Sequence, residues 1–417
     1  MQPDKMPSPL ANLRHLRAFC EVAAQHSISQ AAGRIFLSQP AITQAIAKLE
    51  RLLGGVLFER HSEGMRPTEA ATLYAQRVER ALRLIRSGVQ EALRLGPEKA
   101  FRRSLPFDQM LTMTQLRALV AVSNAGNFTM AARTIGTSQP ALHRAARDLE
   151  GVLGIALYQK SAQGIELSRA GQILVQQTKL AFAELAQGYA EVAALGGQES
   201  GRIVVGAMPL SRHFLLPGAI NALARRHPEM HVQAVDGPYE ELLRGLRHGE
   251  IDLLIGALRD PAPVDDIVQE RLFDDPLTLV ARSGHPLHRK NRLTIRDLAA
   301  YPWVVPRRGT PTRDRFEALF RNARDVYPAG LVESSSFVLI RALLLESDRL
   351  TLISAHQVRL EAAQGLLRIL RYDLSDTRRP IGLTTRRNWR PTATQQLFVE
   401  FLRSAENTYS ENKYVPK

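Results

Sequence analysis

Ser38-Gln39-Pro40-Ala41 opens a stretch in which Ile42, Ile46 and Leu49 recur at helical spacing, leaving Thr43, Gln44, Ala47 and Lys48 on the opposite face. That face carries a hydroxyl, a carboxamide and an ammonium, groups that hydrogen-bond base edges or phosphates. Serine is a good helix N-cap, and proline is tolerated in the first turn, where its missing N–H costs nothing. The chemistry on offer is recognition. Bond-making has no comparable support, because the sequence holds no phosphate loop, dinucleotide glycine fingerprint, zinc-ligand spacing or nucleophile elbow. No catalytic residue, metal ligand or cofactor is expected, and the protein is not expected to be an enzyme. His213, His227 and His285 fall in helix-edge or loop contexts, which predicts surface roles.

The elements that position this face occur twice. The stretch from Leu16 to Gly64 aligns without a gap on the stretch from Leu116 to Gly164, with roughly a third of the positions identical. Ala31-Ala32 matches Ala131-Ala132, Ser38 to Ala41 matches Ser138 to Ala141, and Leu49-Glu50 matches Leu149-Glu150. Leu53-Gly54 likewise matches Leu153-Gly154. In the first copy, Leu16, Phe19, Val22 and Ala23 predict a first amphipathic helix, and a polar break at His26 to Ser29 precedes a short helix around Ala31 to Ile35. Small Ala31 and Ala32 permit the close helix approach of a helix-turn-helix. Its second helix, starting at Ser38, would turn its N-terminal half toward a major groove. Leu57 to Arg60 and Met65 to Pro67, with Gly64 at the turn, predict a two-stranded wing.

The pattern AA, SQPA, LE, LG, spaced as it is here, closely resembles the LysR-type transcriptional regulator family, and the resemblance extends over nearly the whole chain. It implies a sequence-specific DNA-binding regulator controlled by a small-molecule effector. One departure stands out: the family normally has one such headpiece, and this chain has two. The resemblance places Ser38, Gln39, Pro40, Thr43 and Gln44 against DNA, and in the second copy Ser138, Gln139, Pro140, His143 and Arg144; Lys48 joins the first set by its position on the exposed face. The two faces differ in chemistry and also in surrounding charge. Residues 1–110 hold 16 Lys/Arg against 10 Asp/Glu, whereas residues 111–200 hold 7 against 6. The first copy is therefore expected to supply more phosphate affinity, with the second a weaker reader or a copy kept for assembly.

Each headpiece, 11–70 and 112–170, runs into a long helix, 71–96 and 171–196. Ala71, Tyr74, Val78, Ala81, Ile85, Gly88, Ala92 and Leu95 alternate steps of three and four. Gly171, Leu174, Thr178, Ala181, Leu185, Gly188, Val192 and Leu195 do the same. Such a seam suits helix pairing, antiparallel or parallel, or packing of each helix on its own headpiece. The recurring Gly88 and Gly188 suggest close backbone approach. Members of the family pair this helix between two chains. Here both partners lie in one chain, so the two helices are expected to pair internally across a connecting loop, 97–111, that holds Pro97, Arg102, Arg103 and Pro106.

From Gly201 apolar strands alternate with helices, which predicts a parallel sheet covered on both faces. Strands are expected at Arg202 to Ala207, His231 to Val235, Ile251 to Gly256, Leu277 to Ala281, Trp303 to Val305 and Leu350 to Ile353, with helices at Leu215 to Arg226 and Tyr239 to His248. The fold class is thus multi-domain: two α-rich winged helix-turn-helix units with long linker helices, then an α/β domain, 201–405. The latter resembles the two-subdomain periplasmic-binding-protein fold that the family uses for effectors. Runs such as VQERLFDDPL and LVESSSFVLIRALLLESDRL are similar to the galactose-binding-protein-regulator subgroup, implying a sugar-like or small acidic effector. Four polar turns could line its site: Ser211; Gly237, Pro238 and Tyr239; Thr310 and Thr312; and Ser334, Ser335 and Ser336. Each serves equally as a plain helix cap. Arg307 and Arg308 would attract an anion or simply face water.

Composition agrees with this outline. A net charge of +14 over 417 residues favours a polyanionic partner. The single cysteine, Cys20, excludes an intrachain disulfide and reads as a buried structural thiol. No apolar run reaches the length of a membrane span and the first residues lack a signal-peptide pattern, so a cytoplasmic location is expected. The expected partners are double-stranded DNA, a small-molecule effector and further copies of the chain, with no membrane. A solute-binding protein would account for the C-terminal half alone. A structural DNA-binding protein without effector response would account for the N-terminal half. Residues from about Asn407 onward are polar and expected to fray.

Overall fold

The computed structural model describes residues 11–62, 64–96, 107–162, 164–197, 201–321, 326–374 and 377–410. Most of the expected connecting loop therefore lies outside the described residues, as does the chain beyond Ser410; Phe107–Met110 forms a short helical turn. The chain divides into a helical unit up to residue 201, which also takes in residues 247–250, and an α/β unit made of the rest.

In the helical unit, the first copy folds as α1 (Leu13–Gln25), α2 (Ile28–Ile35), α3 (Gln39–Leu53), β1 (Phe58–His61), β2 (Gly64–Pro67) and the linker helix α4 (Glu69–Arg94). The second copy repeats it as α5 (Met113–Ala125), α6 (Phe128–Ile135), α7 (Gln139–Leu153), β3 (Tyr158–Ser161), β4 (Gly164–Leu167) and α8 (Arg169–Leu195). Caps set these boundaries. Ser27, Ser38 and Thr68 accept the first free N–H groups of α2, α3 and α4, and Asn127, Ser138 and Ser168 do so in the second copy. Gly54 and Gly154 stop α3 and α7 in left-handed conformation. The break between α1 and α2 is shorter than the sequence suggests, because Ser27 already caps a helix that starts at Ile28.

Gly64 shows why the wing needs glycine. Its φ is +131°, and a Cβ there would run into the carbonyl oxygen of His26 in the turn between α1 and α2. The Met65 amide donates to that same oxygen (2.8 Å), so the wing is laced to the helix-turn-helix.

The linker helices pair with each other, antiparallel. A Cβ on Gly88 would lie 2.7 Å from Cβ of Gln177, and one on Gly188 would lie 2.9 Å from Cβ of Arg77 and 3.0 Å from the Tyr74 ring. Gly96, just beyond α4, packs on Ile155 of the second headpiece. The Arg17 guanidinium of the first headpiece donates to the Gln109 carbonyl (3.0 Å). One continuous core runs from Leu13, Phe19 and Ile42 through Tyr74, Val78 and Ile85 to Leu174, Leu185 and Leu149. Ion pairs close one end of the seam: Arg77 with Glu184 (2.9 Å) and Glu191 (2.5 Å), and Arg80 with Glu184 (2.8 Å). Burial pushes the Glu184 carboxyl up, but hydrogen bonds and charge from Arg80 and Arg77 outweigh it and hold the group below the usual carboxylate range. A lowered carboxyl stabilises the fold above the unfolded carboxylate range, and that contribution is lost only as pH falls through the lowered value. Gly188→Val is expected to destabilise the helical unit by about 1–3 kcal/mol through overpacking against Arg77 and Tyr74, read from urea unfolding followed by circular dichroism. Unchanged stability would show that the close approach is not needed.

Cys20 sits half-buried against this core, where burial pushes its thiol up to about 12. A thiol raised this far carries little thiolate, which suits a structural role.

The α/β unit contains two five-stranded sheets. The first has β6 (His231–Val235), β5 (Arg202–Ala207), β7 (Leu253–Ala257), β14 (Arg379–Arg386) and β8 (Ile267–Asp275) in that order. The second has β11 (Val332–Glu333), β10 (Trp303–Val305), β12 (Leu350–Ser354), β9 (Leu277–Arg282) and β13 (Leu367–Leu370). Helices α9 (Leu215–Arg226), α10 (Tyr239–Arg247), α11 (Pro311–Phe320), α12 (Phe337–Leu345) and α13 (Ala393–Ser410) are the longer helices of this unit. Neither sheet is purely parallel, which corrects the expectation. In the first sheet β14 runs antiparallel to β7 and β8, and in the second β9 runs antiparallel to β12 and β13. The reason is connectivity: the chain crosses between subdomains from β8 to β9 and back before β14, so the crossing strands enter their sheets reversed. Asn407 to Ser410 continue α13 rather than leaving it.

Two histidines also depart from expectation. His285 is buried, with Nδ1 accepting from the Leu287 amide (3.2 Å), and His213 stacks edge-on against Phe337 at 4.7 Å. Both serve packing and turn formation, because an imidazole can fill apolar space while its nitrogens satisfy local backbone groups.

Candidate nucleic-acid interface and effector cleft

Helices α3 and α7 present equivalent faces. Ile42, Ala45, Ile46 and Leu49 are buried in α3, and Leu142, Ala145, Ala146 and Leu149 are buried in α7. Ser38, Gln39, Pro40, Thr43, Gln44 and Lys48 are all exposed, as are Ser138, Gln139, Pro140, His143, Arg144 and Asp148. The structure thus brings each predicted set together on one outward face. Their detailed roles differ. The hydroxyls of Ser38 and Ser138 cap their own helices by accepting from the amides of Ala41 and Ala141. Thr43 donates back to the Gln39 carbonyl (3.0 Å). Gln139 accepts from Thr129 (3.2 Å), and the His143 ring rests 4.9 Å from that of Phe128. Gln44, Lys48 and Arg144 are exposed and have long side chains, so they carry the longest reach.

Glu50 and Glu150 explain the repeated Leu-Glu pair. Each carboxylate turns back to accept from the backbone at the start of the wing, Leu57 (2.9 Å) and Leu157 (2.8 Å) respectively. The wing is thereby held at a set angle to α3 in the first copy and to α7 in the second.

Sequence reasoning passed over two features of this face. Phe36 ends α2 with φ +54° and is 93% exposed, beside Ser38 and Gln39; the equivalent residue in the second copy is Gly136, which takes the same left-handed turn without strain. An aromatic side chain held in that conformation and in water is costly twice over. The signal was available in the alignment, where glycine in one copy faces phenylalanine in the other. The wings differ as well: Arg60 and Arg66 are exposed in the first, Lys160 and Glu166 in the second.

In the α/β unit a cleft of about 610 Å³ is lined by Tyr239, Arg259, Gly309, Pro311, Arg315, Arg378 and Arg379, with Glu240, Asp260 and Asp314 also on its walls. The Arg259 guanidinium lies over the Tyr239 ring, 4.5 Å from its centre. Of the residues expected from sequence, Tyr239 lines this cleft. Ser211, Gly237, Pro238, Thr310, Thr312, Ser334, Ser335 and Ser336 do not, although Thr310 and Thr312 flank its Gly309 and Pro311. Several of their hydroxyls already have partners within the fold. Ser211 donates to the Met208 carbonyl, Thr310 caps α11, Thr312 accepts from Arg379, and Ser334 accepts from the Ser336 amide. Arg259, Arg315 and Arg378 were missed, since nothing in their local sequence links three arginines so far apart in the chain.

A buried network ties the cleft to both sheets. Arg379 donates to Asp275 from Nη2 (2.9 Å) and Nε (3.2 Å), and Ser354 donates to the other Asp275 oxygen (2.5 Å). Asp275 and Arg379 belong to the first sheet. Ser354 and Thr312 belong to the second subdomain. The network therefore joins the two subdomains at the edge of the cleft.

Comparison with known proteins agrees with this geometry. A family profile described as the LysR substrate binding domain matches residues 196–407. A second, the bacterial regulatory helix-turn-helix protein of the lysR family, matches twice, at 13–72 and 113–172. The chain is 34% identical over 377 residues to the HTH-type transcriptional regulator GalR of Pseudomonas putida, covering 90% of this chain and 93% of that one. It is 30% identical over 301 residues to the regulator PcaQ of Agrobacterium fabrum, covering 72% of this chain and 96% of that one. Among solved structures, full-length OxyR from Pseudomonas aeruginosa superposes with a TM-score of 0.52 at 24% identity, covering 71% of this chain and 95% of that one. ArgP from Mycobacterium tuberculosis superposes with a TM-score of 0.55 at 18% identity, covering 70% and 96%. These likenesses establish the fold. No helix among the described residues is long and apolar enough to cross a membrane.

Proposed function

This chain belongs to the LysR family of DNA-binding transcriptional regulators, and we propose that both of its headpieces read DNA while a small anionic molecule in the α/β cleft controls the outcome. The observation that carries the first half is the doubled exposed face, with Gln44 and Lys48 on α3 and Arg144 on α7 projecting from helices capped and buried in the same way. Gln and Arg are suited to bidentate contacts with adenine and guanine edges, and Ser38, Pro40, Ser138 and Pro140 to setting the entry of each helix. Arg60 and Arg66 of the first wing add phosphate contacts. Such a protein acts by binding rather than catalysis, and its place of work is the cytoplasm. The functional division we adopt is two headpieces at 11–70 and 112–170, linker helices to 96 and 196, and an effector domain at 201–405.

For the effector, Arg379 is already paired with Asp275, which leaves Arg259, Arg315 and Arg378 on the cleft wall beside Glu240, Asp260 and Asp314, and Tyr239 offers an aromatic wall. Guanidinium groups bind a carboxylate bidentately, and these three arginines are the feature that favours a small acid over a neutral sugar. Closing on it would engage Arg259, which follows β7 of the first sheet, and Arg315 of α11 in the second subdomain, biasing the protein toward a state with altered DNA contacts.

Two measurements test this. A footprint of the purified protein on the DNA upstream of its own gene is expected to show separated major-groove patches. Bare DNA at low salt would sink the DNA-reading half. Thermal-shift screening with small carboxylates beside neutral sugars is expected to find stabilising acids, with Arg315→Ala weakening them about tenfold or more. Stabilisation by sugars alone, untouched by that substitution, would overturn the anionic assignment.

A further inference from the structure

The linker pair is asymmetric, although the repeat that built it is not. Exchanging the two copies carries position 77 onto 177, 80 onto 180 and 84 onto 184. At one end of the seam Arg77 donates from Nε to Glu191 (2.9 Å) and from Nη1 to Glu184 (2.9 Å) and Gln187 (3.0 Å), and Arg80 joins Glu184 (2.8 Å). The Arg77 side chain is only 6% exposed and that of Glu184 11%. At the other end the corresponding places hold Gln177, Leu180, Leu84, Ser87 and Glu91. The buried cluster occurs at one end only.

Pairings between like helices would lose part of it. Two first-copy helices, brought together from two chains in the same register, would keep an Arg77–Glu91 pair at each end but would set Leu84 where Arg77 and Arg80 find Glu184. Two second-copy helices would set Gln177 and Leu180 against Glu184, burying its carboxylate without a cation. A buried charge deprived of its partner is strongly unfavourable, whereas matched charges form strong hydrogen bonds. Only the unlike pair keeps every contact of the cluster. The headpieces it joins are also unlike: Thr43, Gln44 and Lys48 correspond to His143, Arg144 and Asp148, so the last of these positions changes sign.

We propose that this protein recognises an asymmetric, bipartite DNA element whose two halves differ in sequence, read in one fixed orientation by the two headpieces of a single linker pair. The proposal rests on the reading above that both recognition helices meet DNA. The linker helix α4 has 26 residues and is about 39 Å long, on the scale of one turn of B-DNA, so one chain can span both halves. The first half is held by the more basic headpiece. The second is selected by Arg144 and by the Asp148 carboxylate, which repels phosphate and accepts only from a donor such as a cytosine amine.

The test is selection by the full-length protein from duplex DNA randomised over several helical turns. The expected product is two dissimilar half-motifs at fixed spacing and orientation. Gln44→Ala is expected to relax one half only and Arg144→Ala the other half only, each by about 5- to 150-fold at the affected base pair. Arg77→Glu, which sets a carboxylate against Glu184 and Glu191, is expected to retain both half-motifs but lose their fixed spacing. An inverted repeat with identical halves, or a motif indifferent to Arg144→Ala, overturns the proposal while leaving DNA recognition intact. Absence of any enrichment at low salt overturns the proposal together with the reading it rests on.

Discussion

Asp275→Ala is expected to lower the stability of the α/β unit by about 3–5 kcal/mol, because it removes one partner from a buried ion pair and leaves the other in place. Asp275 is fully buried, and its two oxygens receive the Arg379 guanidinium on one side and the Ser354 hydroxyl on the other. Without the carboxylate, both donors point into a space that water reaches poorly. The loss is thus larger than the net worth of the pair. Asp275→Asn keeps an oxygen for Ser354 and is expected to fall between the two. The readout is convenient, since both tryptophans of the chain, Trp303 and Trp389, lie in this unit. Urea unfolding followed by tryptophan fluorescence therefore reports it. A midpoint unmoved by Asp275→Ala would mean that the network contributes little. The same substitution unfastens this contact between the two subdomains, so any effector-dependent change in the DNA footprint should disappear with it.

Phe19→Ala should cost about 3–5 kcal/mol in the helical unit, the range for emptying a buried aromatic site. Phe19 is fully buried, 5.7 Å from the Phe58 ring of the wing and 5.6 Å from the Tyr74 ring of the linker helix. It joins three elements whose relative placement decides where α3 points. Because the core runs on through the linker pair into Leu149 and Leu174, the unit is expected to lose helix in one cooperative step. Far-UV circular dichroism would show the shift, and the tryptophan signal should not follow it. A loss confined to the first headpiece, with the linker pair intact, would argue that the continuous core is not a cooperative one.

Both headpieces were legible in the sequence because their information is local. Ser38 lies three residues from the amide it caps, Ile42, Ile46 and Leu49 define a face within one helix, and Gly54 ends that helix beside them. The second copy repeats these short-range relations. The candidate DNA face could be read for the same reason: burial of one stripe exposes the other. The effector cleft was far less legible. Tyr239 follows a strand and was visible as such, but Arg259, Arg315 and Arg378 meet only because three separate segments fold onto one cavity. The expected serine and threonine turns looked like ligand groups in isolation, and the fold employs several of their hydroxyls as caps and contacts between subdomains.

The amino-acid sequence by itself determined the family, the doubled helix-turn-helix, the outward position of Gln44 and Arg144, and the change to an α/β architecture after Gly201. Tertiary structure alone decided the rest. A seam that repeats every three to four residues suits either direction of pairing, and only the packed helices reveal that Gly88 approaches Gln177 and Gly188 approaches Arg77, hence that they run antiparallel. Arg77 and Glu184 stand far apart in the chain, and no periodicity relates an arginine to the carboxylate it will meet. Strand direction in the two sheets depended likewise on where the chain crosses between subdomains. Local capping and amphipathic spacing act over a single turn, so a sequence exposes them directly. Long-range charge pairing and strand order arise from the joint packing of many segments, and they become readable only once that packing exists.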